Sequence, residues 1–150
     1  MPLSWKFIFA RVSIAGLFFI VTVLQVFSFP GQFNYSRRQG EINTVTQIAL
    51  TIFLGSWMLA VQIGLISILK IVNHMQLGRF FTANCFNWIV RLASAMKYSA
   101  YVPVGLILII APRADDPGIM VVLLTLFLFS TSLAVFASLI RDQIKFKIED

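Results

Sequence analysis

Charge is scarce in this chain: Asp, Glu, Lys and Arg together make up 12% of its 150 residues, six acidic against twelve basic. Soluble domains carry about a quarter of their residues charged, so a water-facing surface over most of the chain is excluded. Cysteine and histidine are scarcer still, with one of each, Cys85 and His74. A single thiol forms no intramolecular disulfide. A nucleophilic thiol needs a base, and His74 stands eleven positions before Cys85 across a glycine-containing turn, so no catalytic dyad is predicted. One histidine neither ligates a haem from both sides nor completes a His-rich metal site. The expectation is therefore no metal, no cofactor and no catalytic activity. No Ser/Gly-rich or acidic low-complexity stretch marks a linker or tail. No polar stretch is long enough for a separate aqueous domain, so residues 1–150 read as one domain.

What is abundant is apolar: 59% of the chain, with a mean hydropathy of +0.87. Long runs are apolar all round rather than on one face, as hydrocarbon requires. Four such runs, residues 7–29, 46–71, 88–111 and 118–140, each approach the ~20 residues with which a helix crosses a bilayer. The first runs from Phe7 to Phe29 and is predicted to end at Pro30 and Gly31. It exceeds the roughly 7–15 apolar residues of a secretory signal, and no small-x-small cleavage site follows it. Ionisable side chains are expected to be absent from the core of every span, which removes the usual pointer to a proton relay or ion path. Gln62 is the clearest deep polar residue, and an interhelical hydrogen bond is its expected role. Ala60 and Gly64, like Ser130, Ala134 and Ser138, are small residues four apart and read as helix-packing seams. Pro103, with Gly105 close behind, removes a backbone donor and predicts a kink in the third span.

The third run differs from the others, because its charge-free part, Tyr98 to Ala111, is only 14 residues. From Phe81 onward, Phe81, Cys85, Trp88, Leu92 and Met96 recur at three- and four-residue steps, with Asn84, Asn87, Arg91, Ser94 and Tyr98 interleaved. That pattern describes an amphipathic helix. The third helix is predicted to start near Thr82 as N-cap, run along or just below the interface and then enter the membrane, so that Arg91 and Lys97 stay clear of mid-bilayer. The connection from Pro112 to Gly118, with Asp115 and Asp116, reads as a solvated turn. Two adjacent aspartates in an exposed turn make neither a metal site nor an acid/base pair.

Lysine and arginine are distributed unevenly. Lys6 and Arg11 flank the first run, Lys70, Arg79, Arg91 and Lys97 belong to the second connection, and Arg141, Lys145 and Lys147 follow the last run. Only Arg37, Arg38 and Arg113 fall on the other side, beside Glu41, Asp115 and Asp116. Cytoplasmic loops retain an excess of Lys and Arg, so both ends of the chain are predicted to lie on the cytoplasmic side of a cell membrane. The excess also attracts anionic lipid headgroups. Direct nucleic-acid binding is not expected, since it would want a longer basic polar module.

The stretch Leu69-Lys70-Ile71-Val72, leading into Leu77-Gly78-Arg79-Phe80-Phe81-Thr82-Ala83-Asn84, resembles the bacterial four-helix membrane family catalogued as domain of unknown function 2975, in which a Gly, aromatic and Asn signature follows the second span. The resemblance covers most of the chain, and its sharp motif is Gly78 to Asn84. Family members commonly end in an acidic and apolar tail, reduced here to Lys147-Ile148-Glu149-Asp150. The resemblance implies a small bacterial inner-membrane protein with no established activity, often encoded beside a short helix-turn-helix regulator. The motif also has a direct physical reading. Gly78 allows a tight reversal, Phe80 and Phe81 can dip into the headgroup region, and Asn84 can satisfy free backbone groups at the start of the next helix.

The expected fold class is all-α: an integral membrane four-helix bundle whose third helix extends into the cytoplasm as an amphipathic segment. Two function classes fit. The first is a non-enzymatic protein that docks a cytoplasmic regulator or another membrane protein through its basic inner face, with Arg79, Arg91, Arg141 and Lys145 as the docking residues. The second is a transporter, channel subunit or lipid-binding protein with a path lined by Gln62, Thr51, Ser130 and Thr131. Four helices make a narrow bundle, so this second class requires a homo-oligomer.

Overall fold

A computed structural model describes residues 2–113 and 117–149, and every regular element among them is helical. Helix α1 (Pro2–Val23) passes through a π-helical stretch, Leu24–Ser28, into α2 (Phe29–Arg38). Helices α3 (Thr44–Gln76), α4 (Ala83–Ile110) and α5 (Pro117–Glu149) follow. Four stretches are long and apolar enough to cross a membrane: Trp5–Arg38, Thr44–Gln76, Ala83–Ile110 and Met120–Lys147. The 33 residues of α3 extend ~50 Å at ~1.5 Å each, well past a hydrocarbon layer of ~30 Å. The aspartates Asp115 and Asp116, expected in a solvated turn, lie outside the described residues.

The predicted stop at Pro30 and Gly31 does not occur, and the helix runs on to Arg38. The π-helical stretch ends two residues before Pro30. A π turn is wider than an α turn, so the proline ring and its missing N–H meet a loosened ladder instead of a closed one. The other helix ends follow local rules. The Asn43 side chain caps α3 by accepting from the Thr46 N–H at 2.7 Å, and Thr82 caps α4 by accepting from the Cys85 N–H at 3.4 Å. Gly78, at φ +67°, reverses the chain after α3, a left-handed conformation that glycine adopts without steric penalty.

The spans stand side by side in chain order, with the main contacts between α1 and α3, α3 and α4, and α4 and α5. In this order α3 and α4 are the inner helices, with α1 and α5 at the margins. No described residue of α1 or α2 is buried. In lipid an apolar helix gains nothing from hiding apolar surface in protein, so large side chains such as Phe19 and Phe27 remain on the outside.

The seams between α3, α4 and α5 use small residues and close fits. Ala60, Gly64 and Ser67 of α3 are buried, and a β-carbon on Gly64 would come within 2.7 Å of Met96 Cε. Further along, the Phe53 ring lies on the backbone of α4 at Gly105, where any β-carbon would overlap it. Trp57 Nε1 donates to Ser99 Oγ at 2.5 Å across the same seam. On α5, Ser130, Ala134 and Ala137 are buried. Pro103 is fully buried inside α4, which remains helical through it.

Polar side chains tie α1 to α3: Gln62 donates to Thr22 Oγ1 at 3.0 Å, Gln25 to the Gly55 carbonyl at 3.5 Å, and Arg11 to Gln76 Oε1. Gln62→Leu keeps the bulk and removes one tie. Its expected effect on unfolding in detergent is a loss of about 0.6–2 kcal/mol, the range for interhelical hydrogen bonds in lipid. A much larger loss, measured by sodium dodecyl sulfate titration of the refolded protein, would show that Gln62 does more than join two helices.

Candidate functional site: a basic end and a groove along α4

Antiparallel succession brings the start of α1, the end of α3, the start of α4 and the end of α5 to one end of the molecule. Lys6, Arg11, Lys70, Arg79, Arg91, Arg141, Lys145 and Lys147 thereby share that end, while Arg37 and Arg38 sit at the other with Glu41. Most of the basic side chains have local contacts. Arg141 pairs with Asp142 at 2.7 Å, Lys147 lies 5.2 Å from the Phe81 ring, and Lys70 and Arg91 approach the Trp88 ring at 5.9 and 4.6 Å. Such exposed ion pairs and cation–π contacts are each worth at most about 1 kcal/mol, so they yield readily to a ligand. Of the four expected docking residues, Arg79 and Lys145 are exposed, Arg91 stacks on Trp88, and Arg141 is paired with its neighbour.

The Gly78–Asn84 turn closes α3 and opens α4. Arg79 N–H donates to the His74 carbonyl at 2.9 Å and Gly78 N–H to Met75 at 3.1 Å, closing the end of α3. Phe80, expected among the headgroups, turns inward and packs on the cluster of Cys85, Ile89 and Ile144. Phe81 stays exposed, edge-on to Phe80 at 5.1 Å. Asn84, expected to satisfy backbone groups, is exposed, and the cap is Thr82, three positions before the N–H it accepts. Cys85 is 0% exposed and packs in an apolar cluster with Ile89 and Ile144.

Within one copy of the chain the polar residues expected to line an oligomeric path do not converge on one cavity. Gln62 faces α1, Thr51 is exposed and bonded to its own helix at Gln47, Ser130 is buried, and Thr131 opens on the seam between α4 and α5. Gln62 and Thr51 lie on the side of α3 toward α1 and α2, whereas Thr131 lies on the seam between α4 and α5.

A second polar surface runs along the outer side of α4. Asn84, Asn87, Arg91, Ser94 and Tyr98 are exposed there, as their spacing predicts, and Lys97 and Tyr101 join the same side. Grooves flank this ridge. The one toward α3 encloses about 440 Å³ beside Arg91, Ser94 and Tyr98. The one toward α5 encloses about 410 Å³, with Lys97, Ala100, Tyr101, Thr131, Ala134 and Ser138 in its lining. Among the described residues Lys97 has no hydrogen-bond or ion-pair partner, and the buried Thr131 hydroxyl has none either. Sequence reasoning missed this groove. The available signal was that Lys97 follows Ser94 by three and precedes Tyr101 by four, which continues the polar stripe one turn further.

The chain matches none of the curated proteins and none of the solved structures with which it was compared. A family model described as protein of unknown function (DUF2975) matches residues 31–144. The match runs from α2 into α5 and takes in both the Gly78–Asn84 turn and the polar side of α4. With four helices of membrane-crossing length and apolarity, the chain belongs to the DUF2975 family of proteins of unknown function.

Proposed function

We propose that the protein is a non-enzymatic, multi-pass component of a bacterial cell membrane that uses its basic end to dock a cytoplasmic regulator or a membrane partner. The observation that carries this reading is the gathering of eight Lys and Arg side chains at one end of the array by the antiparallel order of its helices. Retention of Lys and Arg on the cytoplasmic side then puts both ends of this chain and the α3–α4 turn in the cytoplasm. The first turns of α4, from Ala83 to about Trp88, extend past the hydrocarbon as the amphipathic continuation of that helix, with Asn84 and Asn87 in water. Anionic headgroups gather around the same charges. The surface is polar and distinctive at this end, whereas the seams between helices hold packing residues.

The test is purification of the full chain from native membranes in mild detergent, as wild type and as a variant with Arg79, Arg91, Arg141 and Lys145 all changed to Gln. A specific protein is expected to co-purify with wild type. Its recovery should fall at least about tenfold, equivalent to about 1.4 kcal/mol, from a variant that remains monodisperse and fully helical. Recovery that ignores the four charges, or no specific protein at all, contradicts the reading.

A further inference from the structure

Lys97 is set deeper along the array than any other cation of α4. The cluster that joins Cys85 and Ile89 to Ile140 and Ile144 fixes the register of α4 against α5, and Lys97 shares its groove with Ala134 and Ser138. Arg141, the first charge at the basic end of α5, lies seven positions beyond Ala134, ~10 Å along the axis. On the other flank Lys70 of α3 approaches Trp88, nine positions before Lys97, or ~13 Å. Lys70, Trp88 and Arg141 mark the level at which cations and an indole meet headgroups. Lys97 therefore enters the chain about 10 Å or more inside a hydrocarbon layer of ~30 Å. Its side chain leans toward the start of α4 and shortens that distance without closing it. Arg91, three positions from Trp88, reaches the ring and the interface.

A cation at that depth is costly unless a counter-charge pairs with it. Among the described residues none provides it: the acidic ones are Glu41, Asp142 and Glu149, all toward or beyond the ends of the spans. A second copy laid on α4 would bring a second Lys97 and no carboxylate, so self-association does not neutralise the site. The groove itself has the form of a helix seat. Ala100, Ala134 and Ser138 give it small side chains that allow close backbone approach, and the buried Thr131 hydroxyl has no acceptor.

We propose that the α4–α5 groove docks a transmembrane helix of another protein that carries an Asp or Glu about level with Lys97, the carboxylate accepting from the Lys97 ammonium. The site lies within the membrane and does not depend on docking at the basic end.

The test reconstitutes the full chain in phosphatidylcholine vesicles with a labelled Leu-rich helix of about 20 residues, bearing either Asp or Leu about seven residues from one end, level with Lys97, and reads energy transfer between them. The Asp helix is expected to associate at least about tenfold more tightly than the Leu helix. Lys97→Leu should abolish that preference, Lys97→Arg should keep it, and the variant neutral at Arg79, Arg91, Arg141 and Lys145 should also keep it. Equal association of the two helices, or a preference that survives Lys97→Leu in a protein of unchanged helicity, overturns the proposal. Two further outcomes also overturn it: energy transfer between two copies of the chain that excludes the Asp helix, and loss of the preference when phosphatidylglycerol is added, which would assign the groove to an anionic lipid.

Discussion

Gly105→Leu is expected to be among the most damaging single substitutions in the spans. The Phe53 ring rests on the α4 backbone at this glycine, and even one added carbon would overlap it. A leucine has to displace the ring from the cluster in which Leu50, Val102, Leu106 and Leu123 are buried. Overpacking of this kind costs typically 1–3 kcal/mol and occasionally more, a large share of the ~5–15 kcal/mol that holds a domain together. Gly105→Ala should cost less, and Phe53→Leu should restore part of that loss by opening the seam. The check is a double-mutant cycle on the protein refolded in bicelles and unfolded with sodium dodecyl sulfate. Additive losses, with no recovery in the double variant, would mean that α3 and α4 do not meet at this point.

Trp57→Ala should have an effect of comparable size. The indole packs beside the same cluster and donates to Ser99 Oγ, so truncation removes both volume and a bond. Buried Trp→Ala changes cost about 3–5 kcal/mol; Trp57 is half-buried, which places the expected loss at the lower end of that range or just below it. Trp57→Phe keeps most of the packing and loses only the bond, at about 0.6–2 kcal/mol. Ser99→Ala should then cost the wild type about as much as Trp57→Phe does, and cost the Trp57→Phe variant nothing further. If Ser99→Ala destabilises both backgrounds equally, the bond contributes nothing and the seam is held by packing alone.

These two positions mark what the sequence left illegible. Runs of apolar residues, the Thr82 cap, the reversal at Gly78, and the small residues Ala60, Gly64 and Ala134 were all readable, because each depends on neighbours within a few positions or on composition. The meeting of Phe53 with Gly105, of Trp57 with Ser99 and of Gln62 with Thr22 depends on how far one helix slides along another. Nothing local encodes that. Pro30 is a case where a local rule gave way: proline and glycine together predict a stop, but an adjacent π-helical stretch lets the ladder continue, and a broken backbone in lipid would leave polar groups unpaired.

The candidate site divides in the same manner. Charge asymmetry between connections was evident from the order of Lys and Arg, and the antiparallel helices turn that order into a single basic end. The depth of Lys97 was not evident. A short charge-free run in the third span reads naturally as a helix that starts outside the lipid, and only the register of α4 against Lys70 and Arg141 brings Lys97 inward. Phe80 likewise resembled a headgroup anchor from composition, yet it is covered by Cys85 and its neighbours, because the Gly78 reversal aims it back at the array.

The orientation of the basic end underlies the whole functional account, and labelling with a membrane-impermeant maleimide tests it most directly. On a Cys85→Ser background, Gln39→Cys and Gln143→Cys place one exposed thiol at each end of the array. In intact cells the cysteine at position 39 should label rapidly, and the one at position 143 only after the membrane is permeabilised. The reverse pattern, or labelling of both in intact cells, would contradict a cytoplasmic basic end.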